Sequence, residues 1–107
     1  MTYEDIFAVI QNLGLLQEPA FQQLTFVIEP IPCDNSGCAL GLYDPNRGVI
    51  ILPPQFLESA LIHELGHRYG HYYYNDLSEA FAEKFRRHYL PGSVLAAVPA
   101  GCCADSA

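Results

Sequence analysis

The stretch Ala60-Leu61-Ile62-His63-Glu64-Leu65-Gly66-His67 constrains this chain more than any other. Read as a helix, it places Leu57, Leu61 and Leu65 on one flank and Ile62 and Tyr69 on another. A helix that is apolar nearly all round is a buried one. Side chains four residues apart project from one helical face, so His63 and His67 can aim their imidazoles at a single ion. Zinc accepts a neutral imidazole at about 2.0–2.1 Å. Glu64 stands at the edge of that face, where it can reach an attacking water without itself becoming a ligand. Two histidines satisfied by ordinary hydrogen bonds would be the plainer reading. The metal reading is favoured because the helix directly follows a strand hairpin and is itself followed by acidic residues.

With 107 residues there is room for one domain and one core, so residues 1–107 are expected to form a single unit. Half of the residues are hydrophobic and 16% are charged, a composition that folds. In a domain this small a bound metal adds to the stability of the fold. Twelve acidic residues stand against five Lys and Arg with no basic stripe, which argues against nucleic acid as partner. No apolar run reaches membrane-spanning length, and Glu4 and Asp5 lie where a signal peptide needs positive charge. The expected location is therefore cytoplasmic with no membrane contact, and signal-independent export stays open. Cys33, Cys38, Cys102 and Cys103 allow three pairings, and in a cytoplasmic protein free thiols are the default.

Thr2 can cap a first helix over 3–13, with Asp5 completing a capping-box pattern and Gly14 as its stop. A helical turn follows Pro19, and residues 24–28 read as a strand. Residues 39–43 and 49–52 form a hairpin around the turn formers 44–48. Pro53 and Pro54 open the active helix, expected over 55–70, and Asp76 caps a last helix over 77–89. The architecture is thus α+β, a hairpin or three-stranded sheet beside two helices.

Catalysis by a metal needs a third ligand and an open position for water. His71 continues the spacing but lies about 6 Å further along a continuous helix, so the helix would have to break at Gly70. Tyr73 occupies the position where another class of such enzymes carries a histidine. Glu79 and Glu83 remain, four apart on the next helix with Arg86 beside them. A competing reading gives Glu79 a capping-box role opposite Asp76.

His63-Glu64-Leu65-Gly66-His67 followed by Ser78-Glu79-Ala80-Phe81-Ala82-Glu83-Lys84-Phe85 resembles the core of the gluzincin metallopeptidases. It is most similar to the anthrax lethal factor and Pro-Pro endopeptidase group and to the minimal soluble gluzincins. The resemblance implies a zincin-like domain and a zinc endopeptidase acting on peptide or protein substrates. It implies Glu79 as third zinc ligand and Glu83 as the residue orienting a ligand histidine. It also implies Tyr72 as a transition-state stabiliser and an upper-rim strand, Ala39, Leu40, Gly41, Leu42 and Tyr43, that pairs with extended substrate. The spacer departs from the family pattern, with only eleven residues between His67 and Glu79. This makes Tyr73 and Tyr74 rivals of Tyr72. Some minimal members are held latent by their own C-terminal segment, and here Cys102 or Cys103 could serve in that way. A non-catalytic zinc-stabilised module that binds peptides is the alternative, and the presence of Glu64 speaks against it.

Overall fold

A computed structural model describes residues 2–35 and 37–90. The C-terminal tail, with Cys102 and Cys103 and any latency device it carries, lies outside the described residues. Helix α1 spans Tyr3–Asn12. The capping box expected at its start is present: the Asp5 amide donates to Thr2 Oγ1, and Asp5 Oδ2 accepts from the Thr2 amide. Ile6 and Ile10 are its buried residues, and Gly14, at φ 75°, turns the chain away. The one-turn helix α2, Pro19–Gln22, is capped by Glu18, whose carboxylate accepts from the Ala20 amide.

Three strands follow, β1 (Thr25–Ile28), β2 (Leu42–Asp44) and β3 (Val49–Leu52). The sheet order is β1-β3-β2, with β3 parallel to β1 and antiparallel to β2. The β2–β3 hairpin is present, and its turn is held by Asp44 Oδ1, which accepts from the Asn46 and Arg47 amides. Its first strand is shorter than the expected 39–43. Extending the register past Leu42↔Ile51 would set Leu40 against Pro53, which has no amide hydrogen to give. Upstream, Cys33 and Cys38 form a disulfide that closes a tight loop across an Asp34–Gly37 bridge. This corrects the expectation of free thiols at these two positions.

Helix α3 spans Glu58–Tyr74, starting three residues later and ending four later than expected. Pro54 and Gln55 form a turn rather than a first helical turn, and Leu57 is the cap residue. Gly70 does not stop the helix. It lacks a side chain because a Cβ there would lie 2.6 Å from the Asp76 carbonyl and 2.7 Å from the Phe81 ring. The stop is Asn75, at φ 51°, where Asn and Gly tolerate the left-handed conformation best. Helix α4 is Glu79–Tyr89, and its cap is Ser78 rather than Asp76. Ser78 Oγ accepts from the Phe81 amide, while Asp76 Oδ1, two residues before Ser78, accepts from the Ser78 amide.

The core gathers around α3. Leu61, Ile62 and Leu65 are fully buried against Ile6, Ile10, Phe21, Ile50, Leu52, Phe56 and Phe85. Gly66 sets how close α4 comes: a Cβ there would lie 2.9 Å from Phe85 Cβ and 3.0 Å from both Cα and O of Ala82. Gly66 and Gly70, one helical turn apart, therefore form a trough into which α4 and its approach loop settle. No helix among the described residues is long and apolar enough to cross a membrane.

Candidate metal centre

The trough brings the first turn of α4 to the histidine face of α3. One carboxylate, that of Glu79, spans both histidines: Oε1 lies 3.1 Å from His63 Nε2 and Oε2 lies 3.0 Å from His67 Nε2. Donor atoms of these three side chains all fall within 4.8 Å of one another, and among the described residues they form the group able to hold a metal ion. Ligands about 2.0–2.2 Å from a tetrahedral ion sit roughly 3.3 Å apart, so the spacing suits one. His63 and His67 are buried, whereas the Glu79 side chain is 56% exposed, leaving one side of the group open to solvent. Glu79 has no capping function here, since Ser78 serves α4.

A second carboxylate sits behind the first histidine. Glu83 Oε2 lies 2.8 Å from His63 Nδ1, and its other oxygen accepts from Arg86 Nε at 2.9 Å. A proton on Nδ1 donated to Glu83 leaves the lone pair on Nε2, the nitrogen that faces Glu79. Burial pushes the Glu83 carboxyl up, but the hydrogen bonds from His63 and Arg86, together with the charges of those two groups, outweigh it and hold the group below its ordinary value. Arg86, itself buried, keeps Glu83 charged and in place.

His67 is the least satisfied group in the site. Neither of its buried ring nitrogens makes a well-aligned hydrogen bond, despite the short approach of Nε2 to Glu79. Burial lowers its pKa, and the neighbouring His63 ring adds to that; Glu79 and the Leu77 backbone push upward without restoring the ordinary value. A buried imidazole that is neutral and short of partners is an unfinished site in protein terms and a ready ligand in metal terms. The residues present fit a divalent ion held by two imidazoles and a carboxylate.

Glu64 is 1% exposed and follows the first histidine by a third of a helical turn. Residue 41 lies directly above it: a Cβ on Gly41 would be 3.1 Å from Glu64 Cγ and 3.4 Å from its Oε2. The flank of α3 that carries Glu64 also carries Arg68 and His71, and both are engaged by β2. The Tyr43 hydroxyl lies 2.9 Å from His71 Nδ1 and 3.2 Å from Arg68 Nη1, and Arg68 Nε donates to the Ala20 carbonyl. His71 is thus bound to the sheet, not to the group around Glu79.

The structure does not bring Tyr72 to that group. Because α3 stays helical through Tyr74, Tyr72 lies nine residues past His63, half a turn round at about 100° per residue. Its ring is exposed and stacks under the Arg68 guanidinium at 5.3 Å. Tyr73 turns to α2, donating to Glu18 Oε2 at 2.6 Å; that bond first, then desolvation, pushes its phenol up to about 12. Tyr74 packs on Phe81. Of the expected rim strand, Leu42 and Tyr43 lie in β2, Gly41 immediately precedes it, and Ala39 and Leu40 lead in without pairing. As supports of the site, Gly66 and Gly70 were not singled out from the sequence, nor was Arg68, and Tyr43 was expected there only as part of the rim strand. The spacing of the two glycines on one helical face was the signal available for the first pair.

No family profile matches the sequence, and no curated protein matches it. Among solved structures, the chain matches that of the metallopeptidase zymogen of Pyrococcus abyssi abylysin with a TM-score of 0.51 and 22% sequence identity. The match covers 85% of this chain and 82% of that one. The chain is therefore similar in fold to a metallopeptidase zymogen, and within that fold it carries a His-His-Glu group able to hold a metal ion.

Proposed function

We propose that this protein is a zinc-dependent endopeptidase. The observation that carries the reading is the convergence of His63 Nε2, His67 Nε2 and the Glu79 carboxylate, with the buried Glu64 next to His63 in the chain. Zinc held there would polarise a scissile carbonyl and acidify a water at its open position. Glu64 accepts the proton of the attacking water and delivers it to the leaving nitrogen. Glu83 holds the His63 ring in the tautomer whose Nε2 faces the centre, and Arg86 keeps that carboxylate ionised. An extended peptide lies along Ala39, Leu40, Gly41, Leu42 and Tyr43, because β2 is an edge strand whose other side pairs with β3. Zinc is preferred over magnesium or calcium because two imidazoles and one carboxylate suit a borderline ion rather than a hard one.

The test is cleavage of a mixed peptide library by metal-free protein reconstituted with zinc, read by mass spectrometry, with Glu64→Gln as control. Peptide cleavage that needs the metal and vanishes in the Gln variant is expected. A zinc-loaded wild-type protein that leaves the whole library intact would sink the proposal and favour a zinc-stabilised binding module.

A further inference from the structure

We infer that Gly41 is a positioning residue for Glu64, an inference that rests on Glu64 being the base of the proposed peptidase. Gly41 immediately precedes β2, and a Cβ built on it would meet Glu64 of α3, the helix that Tyr43 of β2 also engages. Tyr43 is buried, and its hydroxyl meets Arg68 and His71 on α3. Glu64, Arg68 and His71 follow each other at i, i+4 and i+7 on one helical flank. The strand is thus fastened to that flank one and two turns beyond Glu64, and the fastening brings the bare Cα of Gly41 down onto the Glu64 side chain.

The approach is close enough to exclude any other residue without movement. A methyl at position 41 would meet Glu64 Cγ at 3.1 Å and Leu52 Cδ2 at 3.2 Å, both tighter than ordinary contact, with Glu64 Oε2 at 3.4 Å. The backbone φ of Gly41 is not in the left-handed region, so conformational freedom is not what the glycine supplies. It supplies room. The Gly41 backbone packs close to the Glu64 side chain on that side and so limits where its carboxylate can swing. The ligand histidines lie on the neighbouring flank of α3 and are not among the atoms nearest to position 41. A displaced Glu64 is therefore expected to leave the ligand set in place.

Two variants test this, Gly41→Ala and Gly41→Ala/Leu52→Val, the second removing the competing contact with Leu52 so that the conflict with Glu64 remains. Three quantities are measured: peptide turnover, zinc affinity by chelator competition, and the Glu64 side-chain carbon resonance in metal-free protein, assigned by its loss in Glu64→Gln. A shift of a few tenths of an ångström in the base is expected to lower kcat about tenfold, against about a hundredfold for 1 Å. Zinc affinity should hold, and the Glu64 resonance should move in both variants but not in Leu52→Val alone. Wild-type kcat with an unmoved Glu64 resonance in the double variant overturns the inference, as does a zinc affinity that falls in step with kcat. A wild-type protein without peptidase activity overturns the proposed function instead. The resonance alone then decides whether Gly41 places Glu64.

Discussion

Glu83 Oε2 lies 2.8 Å from Nδ1 of His63 while Glu79 Oε1 lies 3.1 Å from Nε2 of the same ring, so one imidazole is held between two carboxylates. The two glutamates sit on successive turns of α4 and do different things to the ring. Glu79 faces its Nε2; Glu83 accepts a hydrogen bond from its Nδ1. Together with Glu64, they make a set of three carboxylates whose amide variants should separate by role.

Glu64→Gln should bind zinc as wild type does and lose turnover by about 10²- to 10⁴-fold, the usual contribution of a general base. Glu79→Gln should lose zinc affinity most, because a neutral amide replaces an anionic ligand. In so small a domain melting temperature should fall with it. Glu83→Gln should lie between, with affinity or activity down about 10- to 100-fold. Competition with a chromophoric chelator, run beside peptide turnover, checks all three. Wild-type zinc binding in Glu79→Gln would remove Glu79 from the ligand set.

Gly66→Ala sets two known effects against each other. Alanine improves helix propensity by about 1 kcal/mol over glycine. Overpacking costs about 1–3 kcal/mol, and here the obstructing atoms include the Ala82 backbone, which no rotamer change can move. Overpacking should win: α4 shifts outward, carrying Glu79 and Glu83 from the histidines. Urea unfolding should show lower stability, and zinc affinity should fall although no ligand is altered. A variant more stable than wild type would show that α4 is not seated as described.

Tyr72→Phe should leave turnover unchanged and stability within about 0.5 kcal/mol. Its hydroxyl is on the side of α3 away from His63, and the stacking of the ring with Arg68 survives the change. A large fall in kcat with intact zinc binding would mean that α3 unwinds before Tyr72 when substrate is bound.

Replacing both Cys33 and Cys38 by Ser should destabilise the fold by up to about 2 kcal/mol on the chain-entropy account, small because the closed loop is short. Zinc affinity should not change. Equilibrium unfolding of the double variant, with and without zinc, measures both.

The parts of this fold that were legible in the sequence are those governed by neighbours in the chain. The Thr2–Asp5 capping box, the Val49–Leu52 strand and the buried helix around His63 each rest on local chemistry, and each formed where its residues required. The helix boundaries were not legible, because tertiary contacts decided them. Gly70 looks like a stop and is instead a seat for the Asp76 carbonyl and Phe81. Asp76 looks like a cap and instead holds the amide of the true cap, Ser78. The parallel pairing of β1 with β3 was equally out of reach, since adjacent strands in a short chain suggest a meander. At the site, the spacing of His63 and His67 carried their convergence, elimination left Glu79 and Glu83 as candidates, and resemblance assigned their roles. Placing Tyr72 required knowing that α3 continues past Gly70.

The strand order has a consequence for how the chain is made. Neither β1 nor β2 pairs with the other; each is bonded to β3, the last of the three to be synthesised. Until Val49–Leu52 has left the ribosome, the two earlier strands have no partner within the sheet, and unpaired strands are the hazard of a nascent chain. Pro30 and Pro32, just after β1, have no amide hydrogen to give and so limit how far a foreign strand could pair beyond it. The strand that ends this waiting state is followed at once by the helix bearing both histidines, so sheet closure and delivery of the metal ligands are consecutive events in vectorial synthesis.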